Sequence, residues 1–160
     1  MGGEWVDYVD VDDRPVGRGP RGGAAARGLY YRVAATVLTD AAGRVLVYRR
    51  PAAAPVLPGH FDVLVGGSVR AGESYLDAAV RELSEELGVA CEPREVWRTR
   101  AGSPVGPCWL AVHHARCDRA GRPDPREVAW HGFVPVRRVL DGAFQPFDDV
   151  GRRALARLAG

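Results

Sequence analysis

The chain has 160 residues, 46% of them hydrophobic and 26% charged, with a formal net charge of +2. That is the composition of one globular domain with a substantial core, and the charge is too small to argue for a nucleic-acid partner. No apolar run approaches the roughly 20 residues that a membrane-spanning helix needs, and the opening MGGEWVDYVD is acidic where a secretory leader would be basic and then apolar. The expectation is a cytoplasmic protein, monomeric or homodimeric, with neither membrane nor nucleic acid among its partners. All 22 basic residues are arginine, and Lys, Ile and Asn are absent. Arginine abundance therefore says little about phosphate binding, while the lack of lysine removes Schiff-base and lysine-base chemistry. Cys91, Cys108 and Cys117 lack metal-type spacing, and their odd number argues against a full disulfide framework. His60, His113, His114 and His131 include no HExxH arrangement.

In chain order, Glu4 to Val11 partly alternates apolar and acidic residues and is expected to be a strand. The following DDRPVGRGPRGGAAARG is turn and loop chemistry, with weak support for a short helix around Gly23–Arg27. Tyr30 to Leu38 is expected to be a strand, DAAG a hairpin turn, and Arg44 to Arg50 a second strand. A proline-rich connection, PAAAPVLPG, leads to a short strand over Phe61–Val65. Beyond the central helix, Glu95–Arg100, Val105–Ala115 and Val128–Val134 are expected strands, with DRAGRPDPRE as a loop. Val136–Leu140 fits one helical turn, and Phe147–Leu158 an amphipathic closing helix. Strands interleaved with a central and a terminal helix imply an α/β/α sandwich with a mixed sheet, over one domain spanning 1–160.

The informative stretch is GGSVRAGESYLDAAVRELSEELGV, Gly66 to Val89. Glu82, Glu85 and Glu86 fall on one arc of a helix at roughly 100° per residue. Leu76, Val80, Leu83 and Leu87 recur on a neighbouring arc, expected to face the core. Like charges at helical spacing destabilise a bare helix by about 0.2–0.5 kcal/mol per pair. The cluster therefore suggests a cation, and all-oxygen ligands favour Mg²⁺ or Mn²⁺ over zinc. Gly66, Gly67 and Gly72 make a loop that lets backbone approach a ligand. Glu73 and Ser74 sit where N-terminal caps and first-turn acids belong, and Gly88 where a helix stops.

These residues carry a specific resemblance. Gly67, Glu73, Arg81, Glu82, Leu83, Glu85, Glu86, Gly88 and Val89 fill every defined position of a Nudix box, spanning 67–89. The resemblance implies the α/β/α Nudix fold and a metal-dependent hydrolase cleaving a phosphoanhydride in a small-molecule diphosphate substrate, such as a nucleoside diphosphate derivative. It implies Glu82, Glu85 and Glu86 as metal ligands with the Gly66 carbonyl, and Glu82 or Glu85 as base. Arg81 is expected to orient the glutamates, and Gly67, Glu73 and Gly88 to be structural. Glu127, in PREVAW, is a candidate further ligand or base; Trp130 stands where related sequences often carry a second acid. Trp130, Phe133 and Tyr31 are candidates for stacking on substrate, although core packing is the plainer expectation. Substrate choice is expected to lie in the loops Pro51–His60 and Arg116–Arg126.

Beyond the box, the opening DVDD turn, Gly28-Leu29-Tyr30-Tyr31-Arg32, RVLVYRR, LPGHFD and a late FxP before the last helix are similar to the branch related to isopentenyl-diphosphate isomerase. The isomerase uses a cysteine and metal-binding histidines around this loop. Here Gly66, Ser68 and Tyr31 stand in those places, and glycine supplies neither acid nor base. A non-catalytic nucleotide-sensing module is the other alternative, disfavoured by the complete box.

Overall fold

A computed structural model describes residues 4–160; Met1–Gly3, the first residues of the acidic opening, lie outside them. Strands β1 (Trp5–Val9) and β2 (Pro15–Pro20) form an antiparallel hairpin. Strand β2 falls where the sequence suggests loop. Its glycines and prolines and its mostly exposed residues carry no alternation, as befits an edge strand. The short helix does form, as α1 (Gly23–Ala26).

Strand β3 (Tyr31–Thr39) centres a seven-stranded mixed sheet. It runs antiparallel to β4 (Val45–Arg49) and β6 (Val65–Ser68), and parallel to β8 (Cys108–Arg116). β4 also pairs with β5 (Phe61–Asp62) and β9 (Trp130–Val134), and β8 with β7 (Arg94–Ala101). The expected strand over Phe61–Val65 is thus two pieces. The chain leaves β4 at Asp62, whose carboxylate takes the N–H groups of Val63 and Leu64, and rejoins the sheet on β3. β8 begins later than expected because Ser103 and Gly106 close a turn first.

Alternation along the strands builds two cores. Tyr31, Ala35 and Val37 of β3, Val45 and Val47 of β4, and Leu110 and Val112 of β8 share one core with α3 (Val136–Leu140) and α4 (Asp149–Ala159). The intervening Ala34, Leu38, Leu46, Tyr48, Ala111 and Ala115 face the other side, where α2 (Tyr75–Leu87) packs. With a period of two, successive residues serve opposite faces, so the sheet lies between helical layers. This is the α/β/α sandwich.

One expectation about α2 is overturned. Leu76 and Val80 are 51% and 43% exposed, and the buried side is Tyr75, Ala78, Ala79, Leu83 and Leu87. The helix packs on β6 and β3, where Gly66 and Gly67 have no side chains, so alanines suffice for contact. The buried arc is rotated toward Glu82 and Glu86.

Candidate active site

The ends of α2 are set locally. Ser74 caps it by accepting from the Asp77 N–H at 3.0 Å, and Gly88 ends it in the left-handed region at φ 65°. Between them the three glutamates meet three environments. Glu82 has a side chain only 12% exposed, Glu85 one that is 50% exposed, and Glu86 has an Oε2 that is buried without a hydrogen-bond partner. Burial pushes the Glu82 carboxyl above its usual range, with Arg81 opposing the shift. Glu86 is pushed well above it, first by burial and then by the charges of Glu82 and Glu127.

Arg81 organises this group. Its Nε and Nη2 donate to the two oxygens of Glu73 at 2.8 and 2.9 Å. Nη1 donates to Glu82 at 2.9 Å and Glu85 at 3.3 Å, and Nη2 also reaches the Ser68 carbonyl at 3.1 Å. One planar fork therefore ties the loop to the helix. Glu73, held by Arg81 and by the Arg70 N–H, sits below the usual carboxylate range. A Cβ on Gly67 would lie 2.7 Å from Glu82 Oε1, so the glycine is what lets that carboxylate lie against the loop. A Cβ on Gly66 would overlap the Ala34 carbonyl oxygen. A side chain there would have to part β3 from β6.

A cavity of about 310 Å³ opens beside Gly66, Gly67 and Ser68. Its walls are aliphatic, with Val33, Leu64, Val105 and Leu110 among them, and its polar groups are those of Arg21, Tyr31, Arg50, Asp62, Ser103 and Asp148. Of the three aromatic candidates only Tyr31 faces it, donating to or accepting from Ser103 at 2.7 Å. Trp130 is exposed and stacks on Phe144, and Phe133 packs into the core beneath α2. The loop Pro51–His60 sends Val56 and Leu57 to the cavity. The segment Arg116–Arg126 supplies no lining residue and instead packs on the end of α2, through Gly121 N–H to Leu87 O and Asp124 N–H to Glu86 O. That packing brings exposed Glu127 near enough for its charge to act on Glu86.

Sequence reading missed the Arg50–Asp62–Asp148 group. Asp62 is buried, accepts from Arg50 at 3.1 Å and from Tyr48, and is pushed up to about 7 by burial and the Asp148 charge. Arg50 Nε is buried without a partner. The polar letters of RVLVYRR and LPGHFD were the only available signal.

The residues fit a hard divalent cation. Repelling carboxylates, one with a buried oxygen lacking any donor, are stabilised by a positive charge, and oxygen-only ligands select Mg²⁺ or Mn²⁺. Among the described residues no three acidic, histidine or cysteine side chains already meet at ligand distance. Arg81 draws Glu82 and Glu85 to itself.

A glycine loop feeding an acid-bearing helix against a mixed sheet defines the Nudix class of hydrolases. The chain belongs to that family: a model of the NUDIX domain matches residues 29–158. It is 44% identical to an uncharacterized Nudix hydrolase of Streptomyces coelicolor, covering 97% of this chain and 88% of that one. It is 38% identical to an uncharacterized Nudix hydrolase of Pseudomonas aeruginosa, covering 88% and 83%. The crystal structure of DR0079 from Deinococcus radiodurans is similar with a TM-score of 0.78 and 25% identity, over 96% of this chain and 98% of that one. Nudix hydrolases generally use a divalent metal, typically Mg²⁺. No helix among the described residues is long and apolar enough to cross a membrane.

Proposed function

We propose that the protein is a single-domain, Mg²⁺- or Mn²⁺-dependent hydrolase that cleaves a phosphoanhydride linkage in a nucleoside diphosphate derivative or a related small molecule. The observation that carries this reading is Glu86: a buried carboxylate with an unpartnered oxygen, facing Glu82 and Glu127. Such a group is costly without a cation. Glu82, Glu85 and Glu86 would hold the metal with the Gly66 carbonyl, and Glu127 would join them.

A bound divalent ion neutralises diphosphate charge and lowers the pKa of bound water. The chain's own residues do the rest. Arg81 fixes Glu82 and Glu85 relative to the loop. Glu82, with a carboxyl raised above its ordinary range, is suited to accept the proton from the attacking water. Arg50, which lines the cavity and whose Nε has no partner, would donate to a phosphate oxygen. The aliphatic walls exclude water from the bound organic group.

The test is release of phosphate and pyrophosphate from a panel of nucleotides, dinucleotides, nucleotide sugars and isopentenyl diphosphate. Each is run with Mg²⁺, with Mn²⁺ and with chelator. Metal-dependent turnover of one class, lost in Glu86→Gln with the circular dichroism unchanged, is the expected result. Wild-type turnover in Glu86→Gln sinks the assignment. Silence throughout, with tight binding of a nucleotide, favours the sensing module.

A further inference from the structure

The β1–β2 hairpin precedes the segment matched by the family model, residues 29–158, yet it touches the loop leading into α2 along its whole length. Arg21 Nη1 donates to Ser68 Oγ at 3.2 Å, and Arg70 Nε donates to Glu4 at 2.8 Å. The Ala71 N–H donates to the Trp5 carbonyl at 2.9 Å, and the Gly72 N–H to Asp7 Oδ2 at 3.0 Å. The Tyr75 hydroxyl, at the first residue of α2, bonds Asp13 at 3.0 Å.

Two of the hairpin's acids in this set have largely enclosed side chains. Asp7 is 8% exposed and holds Arg18 with its other oxygen. The Asp13 side chain is 9% exposed; it takes Arg32 and Arg98 from β3 and β7, and its backbone sits at φ 62°. A non-glycine residue in the left-handed region is held there at a cost and points to a constraint. The loop itself has little stiffness of its own, with Gly72 at φ +80°. What it positions is the site: Gly67 lies against Glu82, and the Ser68 carbonyl takes Arg81.

We propose that the 4–21 hairpin is a clamp on the metal-site loop, that Asp7 is its central positioning residue, acting through the Gly72 amide, and that Arg21 carries the hairpin's end into the substrate cavity. This rests on the metal-site reading above. Asp7 reaches the site only through the loop, so its loss displaces Gly66–Ser68 relative to Glu82 without removing a ligand.

Three variants separate the roles. Asp7→Ala removes the acceptor for Gly72 and Arg18, Asp7→Asn keeps an oxygen for Gly72, and Arg18→Ala removes only a guanidinium that is 59% exposed. Mn²⁺ affinity is read by electron paramagnetic resonance without substrate, amide exchange across residues 68–75 by mass spectrometry, and kcat and KM on the diphosphate the panel identifies. Asp7→Ala should weaken Mn²⁺ binding and lower kcat by about ten- to a hundredfold, the scale for residues supporting a metal ligand. KM for substrate should change little, and exchange across the loop should accelerate. Asp7→Asn should recover most of the loss, and Arg18→Ala should match wild type.

A folded Asp7→Ala with wild-type Mn²⁺ affinity, kcat and exchange overturns the clamp, as does Asp7→Asn no better than Asp7→Ala. If Asp7→Ala does not fold, Tyr75→Phe removes only the bonds to Asp13 and should show the same signs at smaller size; no change there is equally fatal. If the wild type turns over no diphosphate, the hydrolase reading fails, and Mn²⁺ affinity and loop exchange still decide the clamp. If it binds no Mn²⁺ either, the exchange measurement decides it alone.

Discussion

Glu85 and Glu86 are neighbours in sequence and opposites in environment. Glu85 lies half-exposed on the outer arc of α2, with Arg81 and Arg70 beside it. Glu86 lies on the inner arc, its Oε2 buried and unpartnered, among the charges of Glu82 and Glu127. Leu76 and Val80, on the side of the helix away from Glu85, are exposed as well, while Leu83 and Leu87 are buried. A carboxylate on the outer arc is stabilised by water and costs little. On the inner arc it is costly unless a positive charge compensates it.

The strongest way to break that contrast is Glu86→Gln. Turnover should fall about a hundredfold or more, the loss of a few kcal/mol of transition-state stabilisation. The thermal midpoint of the metal-free protein should rise at neutral pH, because the cost of burying or protonating that carboxylate is gone. Glu85→Gln should leave that midpoint unchanged and cost less activity; equal midpoints for the two variants would erase the distinction between the arcs.

Arg81→Lys comes next. A lysine cannot hold Glu73 bidentately and still reach Glu82 and the Ser68 carbonyl. With the arginine side chain 16% exposed, the expected loss is about 1–3 kcal/mol by denaturant unfolding, together with a fall in kcat.

A smaller effect is expected of Asp62, which lies against Gly151 of α4. Its carboxyl is raised from 3.8 to about 7 by burial and Asp148, against Arg50 and two backbone N–H groups, with the Tyr48 hydroxyl also facing it. A group raised on folding stabilises the fold in its protonated form. That contribution is full below about pH 4 and is lost as pH rises through about 7. The metal-free midpoint should therefore decline across this window, and Asp62→Asn should flatten the decline. An identical slope in the variant would contradict the shift.

The smallest effect is expected from Leu76→Gln or Val80→Gln, within about 0.5 kcal/mol on stability. Had the core-facing arc been the one that apolar periodicity suggests, each would cost several times more.

Much of the site was legible because its constraints are local. Gly88 must be left-handed, Ser74 must cap, and three acids within one turn must share a neighbourhood whatever surrounds them. The β3 and β4 strands and α4 were readable for the same reason, from alternation or helical spacing. Strand β2 was not, because an exposed edge imposes no alternation. Arg50, Asp62 and Asp148 were not, because their meeting depends on the break between β5 and β6 and on where α4 begins.

Sequence alone determined the family, the glycine loop and the capped, acid-bearing helix. Tertiary structure alone decided which glutamate is buried, since the arc of Leu76 and Val80 is not the arc of α2 that packs, and the bare backbone of Gly66 and Gly67 receives Ala78 and Ala79 instead. It also decided that the hairpin ahead of the family match grips the loop, because Asp7 and Gly72 are 65 residues apart and no local rule connects them.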